Sequence, residues 1–253
     1  MAAERSGRLD RGDGVELAWA LREGCGPTVV FLPGFASDTA GAKAVALDSF
    51  CAARGQAMLR LDYSGHGQSG GTFAEGCIGR WLADALAVID GVTQGKLLLV
   101  GSSMGGWIAL LVALARRERI IGLVGIAAAP DFTETLIWSG LSPAARETLL
   151  QRGHVDAPSQ YGPPLRLTRT LIEDGRRHLL LGGPIALALP VRLLQGQRDD
   201  DVPWRTALTL AGRIEGADVH VTLIKDGDHR LSRPEDLALL ERTVAALLGQ
   251  DAA

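Results

Sequence analysis

Cysteine is scarce in this chain of 253 residues, neither sign of charge is in large excess, and no long apolar run occurs. The three cysteines, Cys25, Cys51 and Cys77, are odd in number and their spacings match no metal motif. They read as buried or bystander thiols, and a reducing compartment follows. The 26 basic and 29 acidic side chains leave a formal net charge of −3. That balance lacks the strongly basic face that neutralises phosphates, so no nucleic-acid partner is expected. No uncharged apolar run reaches the roughly 18 residues that a membrane span requires. Met1 to Gly14 is polar and lacks the apolar stretch of a signal peptide. Its acidic Glu4 and Asp10, mixed with Arg5, Arg8 and Arg11, argue against a transit peptide. The expected location is cytoplasmic.

What the chain does have is apolar content. It is 47% hydrophobic, enough for a sizeable core, and its length suits one α/β domain with an insertion or two small domains. Thr28 to Leu32 is a continuous apolar run stopped by Pro33-Gly34, as in a strand buried on both faces. Strand signals recur at Val15–Leu21 (an edge), Ala57–Leu61, Lys96–Val100 and Ile120–Ile126. Helical spacing falls between them at Ala42–Arg54, Arg80–Val92 and Gly105–Arg116. This alternation predicts a mostly parallel central sheet flanked by helices. The pattern breaks between Asp131 and Leu189, a proline-rich stretch with short helical pieces at Pro143–Gln151 and Thr168–Arg177. It resumes with strands at Val191–Leu194 and Val219–Ile224 and a closing helix at Pro234–Leu248. The expectation is an α/β core formed by residues 1–130 and 190–253, carrying a small helical cap at 131–189.

The chemistry centres on Leu97 to Gly106, a strand, a sharp turn and a helix in which Gly101, Ser103 and Gly105 satisfy G-x-S-x-G. Side chains two positions either side of the serine would clash with the neighbouring elements, hence the glycines. The turn lifts the Ser103 hydroxyl to a helix N-terminus, where backbone N–H groups face developing negative charge. A serine hydroxyl needs a general base, and in this arrangement the acid and base follow the nucleophile in the order Ser, Asp/Glu, His. Of the five histidines, His66 reads as a loop residue, His220 as a strand residue, and His154 and His178 fall in the cap. His229 lies in a loop between the last strand and the last helix, and is the expected base. Among three adjacent carboxylates, the G-x-x-D-x-x-V-P spacing from Gly196 selects Asp199 to receive the His229 Nδ1–H. Asp200 and Asp201 read as turn residues or caps.

The oxyanion hole requires two backbone donors. Met104 N–H follows the nucleophile directly, and Phe35 N–H is expected from the loop after the first parallel strand. Trp107, Trp138 and Trp204, with Phe35, are candidates to line an apolar acyl pocket, and Arg177 and His178 to meet a polar leaving group. Gly65-His-Gly-Gln-Ser-Gly70 matches G-x-G-x-x-G, but no helix begins before about Ile78 to receive a pyrophosphate. It reads as a loop. No cofactor and no metal are expected.

Three blocks carry a family pattern: Asp62 to Ser69, Gly101 to Gly106, and Gly196 to Pro203. They resemble the α/β-hydrolase superfamily of serine hydrolases. Together with Gly34, Trp107, Arg192 to Leu194, Trp204 and Asp228 to Arg230, they are most similar to one subgroup of abhydrolase-domain proteins. That subgroup includes palmitoyl-protein thioesterase / acyl-glucuronide esterase. The resemblance, over about Pro27 to Leu240, implies Ser103, Asp199 and His229 as the triad. It also implies an acyl ester or thioester substrate, a small molecule or an acylated protein. A carbon–carbon hydrolase or perhydrolase would use the same residues. A non-catalytic binding or interaction protein on this fold would be favoured by a missing triad member or a blocked pocket.

Overall fold

The computed structural model describes residues 3–157 and 164–249. The chain opens with strands β1 (Glu4–Asp10), β2 (Glu16–Arg22) and β3 (Cys25–Leu32), then helix α1 (Ala42–Arg54) and β4 (Gln56–Leu61). Helix α2 (Ile78–Val92), β5 (Leu97–Ser102), α3 (Met104–Ala115) and β6 (Ile120–Ile126) follow. After an intervening segment come β9 (Val191–Gly196), α6 (Arg205–Arg213), β10 (Val219–Ile224) and α7 (Pro234–Leu247). That segment holds α4 (Pro143–Arg152), the hairpin strands β7 (His154–Ala157) and β8 (Leu165–Thr168), and α5 (Arg169–Gly175).

Eight strands form one sheet in the order β1-β2-β4-β3-β5-β6-β9-β10. The β1–β2 and β2–β4 pairs are antiparallel, and every later neighbour is parallel. The mostly parallel sheet flanked by helices is therefore as the sequence implies. Alternation along the strands divides the core in two, because successive side chains leave a strand on opposite faces. Val30, Leu32, Leu97 and Leu99 pack on one face with Trp81 of α2 and Ile108 of α3. Val29, Phe31, Leu98 and Val100 pack on the other with Leu47 of α1 and Val244 of α7. Helix α3 is buried from Met104 through Ala113; a helix apolar all round belongs in such a position. It carries the Ser103 turn into the middle of the fold.

Two elements differ from the sequence expectation. Strand β1 is an added edge, paired in register with β2 from Glu4↔Arg22 to Asp10↔Glu16. Its seven residues are exposed or only partly buried, so it lacks the apolar alternation that signals a strand. The segment between β6 and β9, expected to be helical, also contains the β7–β8 hairpin and a π-helical turn over Thr133–Trp138. Four-residue strands give too short a period to read. Residues 158–163 of the expected cap lie outside the described residues. The segment is tied down at Asp131, whose buried carboxylate accepts the N–H groups of Leu180 and Leu181, both at 2.8 Å.

Candidate active site

Ser103 occupies the turn between β5 and α3 with φ 54° and ψ −120°. Non-glycine residues avoid this region at a cost of about 1–3 kcal/mol, so the surroundings must hold it there. Ser103 N–H donates to Ile126 O at 2.9 Å, while Ser103 O accepts Gly106 N–H at 2.8 Å and Ala129 N–H at 3.1 Å. The flanking glycines are sterically required. A Cβ on Gly101 would stand 2.2 Å from Gly105 O, and one on Gly105 would stand 2.0 Å from Leu32 O.

The other two expected residues meet. The Nδ1 of His229 lies 2.9 Å from Asp199 Oδ2, with the Asp199 side chain fully buried and that of His229 18% exposed. The same Oδ2 accepts Gln195 Nε2 at 2.8 Å, and Oδ1 accepts the N–H groups of Asp201 at 2.9 Å and Val202 at 2.7 Å. Every oxygen of Asp199 is thus engaged by donors. An Nδ1–H directed at a carboxylate leaves His229 Nε2 as an acceptor. Asp200 is exposed and Asp201 half-buried, both in the turn that follows. Arg198 N–H donates to Gly227 O at 2.9 Å, which fastens the aspartate loop to the histidine loop.

Ser103 and His229 line one cavity of about 400 Å³, with Phe31, Gly34 and Phe35 among the walls. The Phe35 loop runs close to Ser103: a Cβ on Gly34 would stand 3.4 Å from Ser103 Cβ. Leu165 of β8 also reaches the wall, so the segment between β6 and β9 does contribute to the cavity.

The three tryptophans are not on that wall. Trp107 is fully buried in the core, where Nε1–H donates to His178 O at 3.1 Å. Trp138 is flanked by Arg146 and Arg176, and Trp204 by Arg205. Trp107 of α3 packs on Phe132, a ring that in turn packs on Phe35. Arg177 is largely exposed and His178 lies 3.7 Å from Asp174; neither borders the cavity.

Sequence reasoning missed Lys43, which borders the cavity and whose Nζ donates to Arg230 O and, at 3.4 Å, to Ser232 Oγ. It therefore ties α1 to the loop that carries His229. Burial lowers its ammonium to about 8, partly offset by Asp228 and Asp236 and reinforced by Arg230. A lysine one position into an amphipathic helix carries no sequence signal of this role. His66 looks from the sequence like an ordinary loop residue, yet it is buried and its Nε2 accepts Ala36 N–H at 3.2 Å.

Asp199, Asp201 and His229 present ligand-type atoms within 4.8 Å of one another. A cation there would have to displace the donors that already occupy Asp199, and the set fits the hydrogen-bonded pair better than a metal centre.

Comparison with known proteins gives a consistent picture. Residues 26–155 match the family model described as serine aminopeptidase, S33. A mouse protein named palmitoyl-protein thioesterase ABHD10, mitochondrial, is 40% identical over 242 residues, 95% of this chain and 81% of that protein. The human protein of that name is 38% identical, with 95% and 79% covered. Among solved structures, a putative hydrolase from Agrobacterium vitis superposes with a TM-score of 0.92 at 40% identity, covering 98% of this chain and 99% of that one. Mouse alpha/beta hydrolase domain-containing protein 10 gives 0.89 at 38%, covering 97% and 99%.

Proposed function

The chain belongs to the α/β-hydrolase family, and from that premise we propose that it hydrolyses acyl esters or thioesters through a Ser103–His229–Asp199 triad and an acyl-enzyme. The observation that carries this reading is the 2.9 Å contact between His229 Nδ1 and buried Asp199, made on a cavity that Ser103 also lines. That contact sets the tautomer in which Nε2 can accept a proton.

The steps follow from the positions. As Ser103 Oγ adds to the acyl carbonyl, its proton passes to His229 Nε2, and the imidazolium is stabilised by Asp199. The carbonyl π electrons move onto oxygen, which is met by the N–H groups of Phe35 and Met104. Collapse breaks the bond to the alcohol or thiol, which takes the proton from His229. Water then repeats the sequence on the acyl-enzyme and releases the acid. The described residues 131–157 and 164–189 act as the cap, with Leu165 as their contribution to the cavity wall. The relatives named for palmitoyl-protein thioesterase activity make a fatty acyl thioester the first substrate class to try. Three free thiols suit a reducing compartment, and we read the location as cytoplasmic, whereas the mammalian relatives are named as mitochondrial. No helix of the described residues is long and apolar enough to cross a membrane.

The test is p-nitrophenyl ester turnover combined with fluorophosphonate labelling. Ser103→Ala is expected to abolish labelling and lower kcat by a factor on the order of 10⁶. Labelling that survives the substitution refutes the assignment. A panel of acyl thioesters, esters and acyl glucuronides of graded chain length then fixes the preferred acyl and leaving groups.

A further inference from the structure

The glycine-rich loop from Gly65 to Gly70, which matches a nucleotide fingerprint without the helix to use one, faces the Phe35 loop. One contact joins them directly and a second runs through Asp62. Ala36 N–H donates to His66 Nε2 at 3.2 Å, and Thr39 N–H donates to Asp62 Oδ1 at 2.9 Å. Asp62 Oδ2 in turn accepts Gln68 N–H at 2.9 Å, so one carboxylate bridges both loops. Gly67 has φ 47°, and a Cβ there would fall 2.2 Å from Asp62 Oδ2. The loop is therefore shaped around these polar contacts.

We propose that His66 is a positioning residue for the oxyanion hole, acting through Ala36 to hold the Phe35 N–H on the carbonyl oxygen. The inference rests on the triad reading and on Phe35 as an oxyanion donor. Ala36 has φ 54°, a left-handed conformation that an alanine does not hold without support. Its amide is the group that His66 captures, one peptide beyond the Phe35 N–H. A side-chain acceptor at this point fixes the orientation of the intervening residue, and preorganised donors contribute to rate because they do not have to reorient as charge develops.

The ring is itself held on all sides. His66 Nδ1 lies 3.2 Å from Ser64 O, which makes Nδ1 the protonated nitrogen and Nε2 the acceptor. Tyr63, Phe73 and Trp81 meet it edge to face, with centroids 5.6, 5.1 and 5.2 Å away. Phe35 packs on two of the same rings, 4.9 Å from Phe73 and 5.7 Å from Trp81. Burial lowers the histidine below its ordinary value, against the backbone contact to Ser64 and the carboxylates of Asp62, Asp84 and Asp38. The neutral form, the one able to accept Ala36 N–H, is thereby favoured.

His66→Phe keeps a ring in the aromatic cluster and removes the acceptor. With a p-nitrophenyl ester it is expected to lower kcat about tenfold at nearly constant KM, less than the loss of an oxyanion donor itself. The inhibition constant of an alkyl trifluoromethyl ketone, whose hemiketal oxygen occupies the same hole, should rise by a similar factor. His66→Gln, which restores an acceptor, should recover most of both. An unchanged kcat, or a fall in kcat with an unchanged ketone affinity, overturns the proposal. Should His66→Phe not fold, the ¹⁵N shifts of His66 in the wild-type protein decide: a protonated Nδ1 and an accepting Nε2 support the assignment, and a proton on Nε2 overturns it. Failure of this proposal leaves fluorophosphonate labelling of Ser103 intact, whereas failure of the triad reading abolishes it.

Discussion

Replacing Asp199 by asparagine separates the catalytic role proposed for it from its structural one. In the native protein Oδ1 takes the N–H groups of Asp201 and Val202, while Oδ2 takes His229 Nδ1 and Gln195 Nε2. An asparagine that keeps its oxygen toward the two backbone donors must place its NH₂ where Oδ2 was. There it meets two donors. Gln195 can resolve the conflict by turning its amide, because its Oε1 is buried without a partner in the native protein. His229 resolves it by moving its proton to Nε2, and so loses the acceptor that the proposed triad requires. The expected loss in kcat is about 10⁴-fold, the effect of a wrong tautomer in such triads, or roughly 5.5 kcal/mol of barrier. Folding should hardly change. Asp199→Ala should lose activity similarly, but it also strips the acceptor from two N–H groups, at about 1–3 kcal/mol each if they stay unsatisfied. The assay is kcat for a p-nitrophenyl ester together with urea denaturation of both variants. An Asp199→Asn enzyme that keeps more than a tenth of wild-type kcat refutes the reasoning, as does equal inactivation by Asp200→Asn.

The pH dependence of stability carries a further expectation. His66, held below its ordinary value of 6.5 by burial, binds fewer protons when folded than when unfolded, so its contribution lowers stability as pH falls through 6.5 toward the native value. Urea midpoints should fall with pH over that window, less steeply in His66→Phe; equal slopes would refute the linkage. Gly105→Ala should fail to express as a folded protein or lose several kcal/mol, because its Cβ would collide with the Leu32 carbonyl 2.0 Å away; a wild-type melting temperature would show that the turn can relax.

Much of the sheet was legible because its inner strands are apolar on both faces and separated by helices of clear period. Thr28–Leu32 and the run into Gly101 announce themselves in this way. Strand β1 was not legible, since an exposed edge needs no apolar face. The tryptophans misled for a related reason: a large ring is equally at home in a core and in a pocket. Only packing against Phe132 and the bond to His178 O assign Trp107 to the core.

The sequence by itself determined the elbow around Ser103, because a tight strand–turn–helix needs glycines at fixed offsets and these appear in order along one short stretch. It also singled out Asp199 and His229, through the loops in which they stand. Tertiary structure alone decided what surrounds them. Lys43, His66 and Leu165 come from three separate parts of the chain, and each meets the site through a contact between elements that no local pattern encodes. Local spacing records what a turn requires of its own residues; the choice of neighbours is made when the sheet and its helices close over them.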